Sequence, residues 1–132
     1  MNLVQRGFTL IELVVVIVIL GILSAVALPK FIDLSSQAGR AAAQGVGASI
    51  SSATSIYYAA RKASSASAIT SLLSCNAVDA NITSLLAGGL PSGFTITADA
   101  TACTDGSTRT CQVVNANVTP SQTASATIVC VN

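Results

Sequence analysis

Histidine and tryptophan are missing altogether from the 132 residues, and charged side chains make up only 8% of them. A soluble domain ordinarily carries about a quarter. Without histidine the chain lacks the commonest general base and the commonest metal ligand, so no active site, metal centre or cofactor is expected. Six Lys and Arg stand against five Asp and Glu, which leaves no basic surface to hold nucleic acid through its phosphates. Proline is scarce, at three residues, and aromatic side chains reach only 4%. What is abundant is apolar: 52% of the residues are hydrophobic, which excludes disorder of the low-hydrophobicity, high-charge kind in a chain of one-domain length.

The few charges are unevenly placed. Between Arg6 and Lys30 the chain reads GFTLIELVVVIVILGILSAVALP, with Glu12 as its only ionisable side chain. As a helix rising about 1.5 Å per residue this stretch reaches roughly 34 Å, enough to cross a hydrocarbon core of about 30 Å. Residues 13–20 contain no turn residue and are too long and one-sided for an ordinary strand. Arg6 before the span and Lys30 after it leave only a weak positive-inside bias; the short leading segment stays cytoplasmic, which places the remainder outside. Two plain readings compete. One is a secretory signal with Arg6 as its basic region and Ala25-Val26-Ala27 as its cleavage site; the other is a simple membrane anchor. Glu12 counts against the first, because a carboxylate at the mouth of the apolar run weakens insertion.

Cys75, Cys103, Cys111 and Cys130 all follow the span. An even number in an exported region reads as two disulfides formed in an oxidising compartment. Neither a CxxC motif nor a histidine partner for zinc is present.

Residues 30–63 are dense in Ala and Ser, and Val46, Ile50, Ala53, Tyr57 and Ala60 recur at helical spacing. Lys30, Asp33, Arg40, Gln44 and Lys62 fall on the opposite side. An amphipathic helix therefore continues from the apolar span. Gly39, Gly45 and Gly47 each cost it about 1 kcal/mol relative to Ala, so its apolar stripe needs a packing partner. Residues 64–93 read as a loop, punctuated by Gly88-Gly89 and Pro91-Ser92-Gly93. Three short strands are expected at 94–98, 111–114 and 126–131, joined through Asp105-Gly106 and Pro120-Ser121. If the second connection closes symmetrically on Pro120-Ser121, Val113 faces Ile128 and Cys111 faces Cys130. A directly facing Cys111–Cys130 bridge would be cramped and is mildly disfavoured; the other two pairings stay open. The expected fold is α+β: one long helix packed on a three- to four-stranded antiparallel meander.

Glu12 is the most informative residue. An ionised carboxylate in an apolar helix costs several kcal/mol unless it has a partner. Arg6 lies nearly opposite on the helix, and Lys30 stands at the far end of the span. A cut after Gly7 would put the new α-ammonium of Phe8 one turn from Glu12, available to it or to the Glu12 of a staggered neighbour. The plain alternative is a protonated Glu12 snorkelling near the headgroups with no role.

The segment Arg6-Gly7-Phe8-Thr9-Leu10-Ile11-Glu12, followed by a long apolar run, resembles the class III signal of type IV prepilins. Its continuation to Ala27-Leu28-Pro29-Lys30-Phe31 is similar to type IVa pilins of the mannose-sensitive haemagglutinin kind. The likeness covers about the first quarter; beyond Phe31 it rests on architecture. It implies a leader at 1–7, a transmembrane and assembly helix at 8–29, its amphipathic half at 30–63, an α–β loop at 64–93, and a meander with a C-terminal region at 94–132. By that resemblance Gly7 precedes the cut made by the prepilin peptidase, an inner-membrane aspartic protease, and Phe8 is the first mature residue, whose amine the same enzyme methylates. Glu12 corresponds to the glutamate needed for subunits to join the fibre. Gly21 and Pro29 bound a stretch that loses helical regularity in family filaments, and Pro29 does leave the Ala25 carbonyl without its helical partner. The implied partners are identical subunits in a helical homopolymer, the peptidase, the inner-membrane assembly platform and the inner membrane itself. Loss of residues 1–7 removes Arg6 and leaves five basic against five acidic side chains, a neutral rod that bundles without like-charge repulsion. Ala41, Ala42, Ala43, Gly45 and Gly47 either permit close helix approach or merely fill the helix.

Other functions compete. A pseudopilin or minor pilin shares the first quarter, but Asp99, Asp105 and Asn115 are too scattered for the calcium loop that pseudopilins often carry. A small secreted or anchored enzyme would need a Ser–Lys site, and Lys30 and Lys62 sit on the solvated helix face. An anchored binding module would lack the cut and the fibre. Tyr57, Tyr58 and Phe31 read as packing rather than as an electron path. Asn81-Ile82-Thr83 and Asn117-Val118-Thr119 match the N-glycosylation pattern, the second spoiled by Pro120, and the Ser-rich run near 64–67 is either a glycan site or a loop.

Overall fold

A computed structural model describes residues 7–64 and 71–132, so the expected leader at 1–7 lies outside it except for Gly7, and the Ser-rich run except for Ser64. Helix α1 spans Leu10–Ala63, and the chain divides at Leu34 into two compact units, Met1–Leu34 and Ser35–Asn132. Glu12 in the first turn and Arg61 and Lys62 in the last place charges that complement the helix dipole at both ends. In the first unit Pro29 sits inside the helix, and the Ser24 hydroxyl donates to the Leu20 carbonyl at 2.7 Å.

The second unit adds α2 (Cys75–Ala80), α3 (Ile82–Leu85), β1 (Phe94–Ile96), β2 (Thr108–Asn115) and β3 (Gln122–Val129). The strands form an antiparallel meander in the order β1-β2-β3, and the α+β expectation holds with three strands. Alternation sorts their faces. Cys111, Val113 and Asn115 of β2 and Ala124, Ala126 and Ile128 of β3 point inward, where Ile50, Leu72, Val78, Ile96 and Val131 complete the core. Tyr57 and Tyr58 pack against this core, as expected of them, whereas Phe31 is exposed and does not pack as expected among the described residues.

Three local expectations are corrected. Residues 64–93 are not all loop: Ser74 accepts a hydrogen bond from the Ala77 N–H and starts α2, which buries Cys75 and Val78. The β2–β3 hairpin closes two residues earlier than the Pro120-Ser121 symmetry predicts. Val113 therefore faces Ala124, Cys111 faces Ala126, and Cys130 lies past the end of β3. The cause is Asn115, whose buried side chain donates to the Gly39 carbonyl and accepts from the Asn117 N–H, which turns the chain at the end of β2. The buried helix stripe is also rotated: Gly39, Ala43, Gly47, Ile50 and Thr54 are buried, whereas Ala53 is half-buried and Ala60 exposed.

Small residues define that stripe because α1 seals the outer edge of β3. A Cβ at Gly47 would stand 2.9 Å from the Ser125 carbonyl oxygen. The Ser51 hydroxyl accepts from the Thr127 N–H at 2.9 Å and donates to the Gly47 carbonyl; Thr54 accepts from Val129 at 3.4 Å and donates to Ser51. Helix hydroxyls thus stand in for a fourth strand along half of an otherwise open edge. Gly45, by contrast, has open space where its Cβ would be. Gly45→Ala is expected to raise stability by about 0.5–1 kcal/mol through helix propensity. Gly47→Ala gains the same propensity but loses about 1–3 kcal/mol to overpacking. Urea midpoints of the detergent-extracted protein check the pair, and a gain in both would contradict the seating of α1 on β3.

Two ion pairs fasten the loop between β1 and β2. Arg109 holds Asp99, whose carboxyl it pulls down to about 2 with help from Thr101. Lys62 holds Asp105, which also accepts from the Asn132 N–H, and that carboxyl too is lowered, chiefly by Lys62. The Lys62 ammonium lies 5.4 Å from the Tyr58 ring centre, so Lys62 is exposed but not idle on a solvated face.

Candidate functional site

The site grows from four residues, Thr9-Leu10-Ile11-Glu12. Thr9 immediately precedes α1, and its carbonyl accepts the first helical bond from the Leu13 N–H. Its N–H donates to Glu12 Oε2 at 2.9 Å, its hydroxyl donates to the same oxygen at 2.6 Å, and its Oγ1 accepts from the Glu12 N–H at 3.3 Å. This reciprocal pair is a capping box. Glu12, expected to lack a partner in the uncut chain, has one three residues away. The Ser/Thr-x-x-Glu pattern before an apolar run is the signal for it, and weighing the glutamate as a membrane charge rather than as a cap hides that signal. Both bonds end on Oε2, and among the described residues Oε1 takes none.

Around this cap everything is apolar and uncovered. Apart from Ile32, whose side chain is not described, all residues from 7 to 34 are exposed, and Phe8 reaches 84%. Phe8, Ile11, Val15 and Val16 form a recess beside Glu12. Burying one large aliphatic or aromatic side chain contributes about 1.5–3 kcal/mol. Burying ten of them therefore exceeds the roughly 5–15 kcal/mol net stability of a typical domain. Such a surface demands a lipid or protein partner, and the helix is long and apolar enough to cross a membrane.

The other expected residues fall as follows. Gly7 and Phe8 precede the helix and are exposed. At Gly21 an added Cβ would meet nothing within 4 Å, so no contact within the subunit demands a glycine there. Gly21 and Pro29 lie within continuous α1. The cysteines pair as Cys75–Cys111 and Cys103–Cys130, which settles the two open pairings and agrees with the mild disfavour of Cys111–Cys130. Asp99 and Asp105 are committed to Arg109 and Lys62, and Asn115 to the backbone, so they do not converge on a cation. Both glycosylation-pattern asparagines use their side-chain amides internally, Asn81 on the Ala77 carbonyl and Asn117 on the Ser92 carbonyl.

The prokaryotic N-terminal methylation motif matches residues 3–28, the stretch that contains Gly7, Phe8, the capping box and most of the uncovered apolar helix. The N-terminal quarter is similar to that of type IV pilins. The chain is 53% identical over 51 residues to the type IV narrow pilus major component PilA5 of Thermus thermophilus, covering 39% of this chain and 44% of that protein. It is 60% identical over 38 residues to the type IV major pilin protein PilE1 of Neisseria gonorrhoeae, covering 29% and 23% of the two chains. To the fimbrial protein EcpC of Eikenella corrodens it is 46% identical over 55 residues, covering 42% and 36%. The matches therefore span less than half the length of each of these relatives. No solved structure matches the chain. The likeness to pilins thus includes the segment that carries the capped glutamate.

Proposed function

We propose that this chain is the structural subunit, a major pilin, of a type IV pilus. The observation that carries the reading is an uncovered apolar helix whose one acid before Lys30 is held at the helix start, directly after a Gly7-Phe8 junction. In this reading the prepilin peptidase cuts after Gly7 and methylates the Phe8 amine, and the 35–132 unit faces the periplasm. The inner-membrane assembly platform then passes subunits from the bilayer into a helical homopolymer, where the helices of other copies replace lipid around residues 8–34. The role is structural rather than catalytic, with adhesion, motility or related surface tasks carried by the finished fibre.

The capping box gives Glu12 a defined chemistry. Thr9 fixes Oε2, and Oε1 remains for the α-ammonium released by the cut, either its own or that of an incoming copy. Before the cut no such ammonium exists, so an unprocessed chain lacks half of the contact. Between Gly21 and Pro29 the helix is weakest, and that stretch gives way under tension in the fibre. Gly7→Glu tests the order of events: it is expected to accumulate full-length precursor in the inner membrane with both disulfides formed and no surface fibre. Immunoblots of membrane and sheared fractions read this out, and fibres built from the uncut variant would contradict the reading.

A further inference from the structure

Pairing the charges of the chain leaves a remainder. Within the second unit Lys62 is paired with Asp105 and Arg109 with Asp99, and Arg61 is already engaged. Lys30 and Asp33 belong to the first unit, three residues apart on α1, so the count within the second unit does not include them. Arg40 and Asp79 remain. Both are exposed, and among the described residues neither side chain forms an ion pair or a hydrogen bond.

The surroundings of Arg40 are those of a receptor for an acceptor group. Arg40, Gln44, Gln112, Thr123, Ala124 and Ser125 line a polar notch where α1 meets β3. Ser51 and Thr54 serve the outward N–H groups of Thr127 and Val129. By the two-residue period of the ladder, the N–H groups of Thr123 and Ser125 point to the same outer edge. No helix hydroxyl follows at that end; the residues there are Arg40 and Gln44. The Gln112 amide donates to Ser125 Oγ at 3.5 Å, which leaves the Arg40 guanidinium, the Gln44 amide and the strand N–H groups to border one notch, and a carboxylate is the group that satisfies them together.

We propose that this notch receives the Asp79 carboxylate of a second copy of the chain, a subunit contact additional to that of the apolar helix. The proposal rests on the filament reading above. Position supports the choice of occupant. The notch lies at the β3 edge of the sheet, whereas Asp79 is on α2, which packs beside β1 at the other edge. A receptor and its ligand on different faces make a head-to-tail contact, which propagates into an open helical polymer rather than closing a two-fold dimer. Arg40–Asp79 pairing then repeats at every step and cancels the charges left over within each second unit.

The test is charge reversal in cells that assemble the full chain. Arg40→Glu alone and Asp79→Arg alone are each expected to cut the yield of sheared fibres at least about five-fold, because each sets like charges against one another. The membrane pool and both disulfides should be unchanged, since both positions are exposed. The double variant is expected to return to within about two-fold of the unaltered chain, as a swapped pair should. Normal fibre yield from either single reversal, or a double variant no better than the worse single one, would overturn the pairing. Rescue of Arg40→Glu by Asp33→Arg but not by Asp79→Arg would overturn it as well, by assigning the notch to Asp33. Arg40→Gln, which adds no repulsion, is expected to fall between the unaltered chain and Arg40→Glu, and a yield as low as that of the reversal would point to misfolding and overturn it. Failure of the filament reading looks different: the unaltered chain would then make no fibre.

Discussion

A chain carrying Glu12→Ala is expected to enter the inner membrane, form Cys75–Cys111 and Cys103–Cys130, and yield no surface fibre. Insertion becomes easier, because an acid costs up to about 2.5–3.5 kcal/mol at the centre of a span on insertion scales, less near its end where Glu12 stands, and alanine costs almost nothing. The helix start loses its reciprocal cap, worth roughly 0.5–2 kcal/mol, which shortens α1 by a turn without touching the second unit. On the proposed filament reading, what disappears is the acceptor for the Phe8 ammonium. Truncating one member of a buried charge pair costs about 3–5 kcal/mol, so each docking step weakens by a factor of about 150 or more, and polymer growth multiplies that loss. Thr9→Val separates hold from charge: it keeps the carboxylate but removes the hydroxyl that donates to Oε2, and should lower fibre yield only partly. Electron microscopy and shear yields decide both. Normal fibres from Glu12→Ala would end the docking role assigned to this acid.

The second large effect belongs to the disulfides. The bridged residues are 36 and 27 apart in sequence, and closing loops of that size is worth about 3.5–4 kcal/mol each in the chain-entropy treatment. Together they rival the whole stability of an ordinary domain of this size, and the sheet has only three short strands with few large side chains behind it. Reduction is therefore expected to unfold the second unit while α1 below residue 35, which holds no cysteine, keeps its helical signal in detergent. Cys103 is only half-buried whereas Cys75 and Cys111 are buried, so Cys103–Cys130 should be reduced first. Limited proteolysis with and without reductant, followed by mass mapping of the cuts, checks this. Unchanged protease resistance of residues 71–132 after full reduction would contradict it.

Much of this architecture is legible from residue pattern, and the failures are instructive. The apolar run and the Ala- and Ser-rich stretch read as one helix because no turn residue interrupts them. The three strands read from alternation and punctuation. The hairpin register does not, because it is set by Asn115 reaching a helix carbonyl 76 residues away, a contact no local pattern encodes. The buried helix stripe falls about one position from where hydropathy puts it, since hydropathy favours Val46, Ala53 and Tyr57, whereas close approach to β3 selects Gly39, Ala43 and Gly47. Disulfide pairing depends on that same unread register. At the candidate site the acid and the Gly7-Phe8 junction are legible, while Thr9 escapes notice although its spacing from Glu12 carries the signal. The Arg40 notch is invisible in sequence, because it exists only where a helix and a strand edge meet.

The most direct measurement of the central claim is the intact mass and N-terminal sequence of the chain recovered from sheared surface fibres of cells that make it normally. A chain beginning at Phe8 with one methyl group on its α-amine is the predicted result. A chain that retains Met1, or one that begins at Leu28 beyond the apolar run, would contradict it.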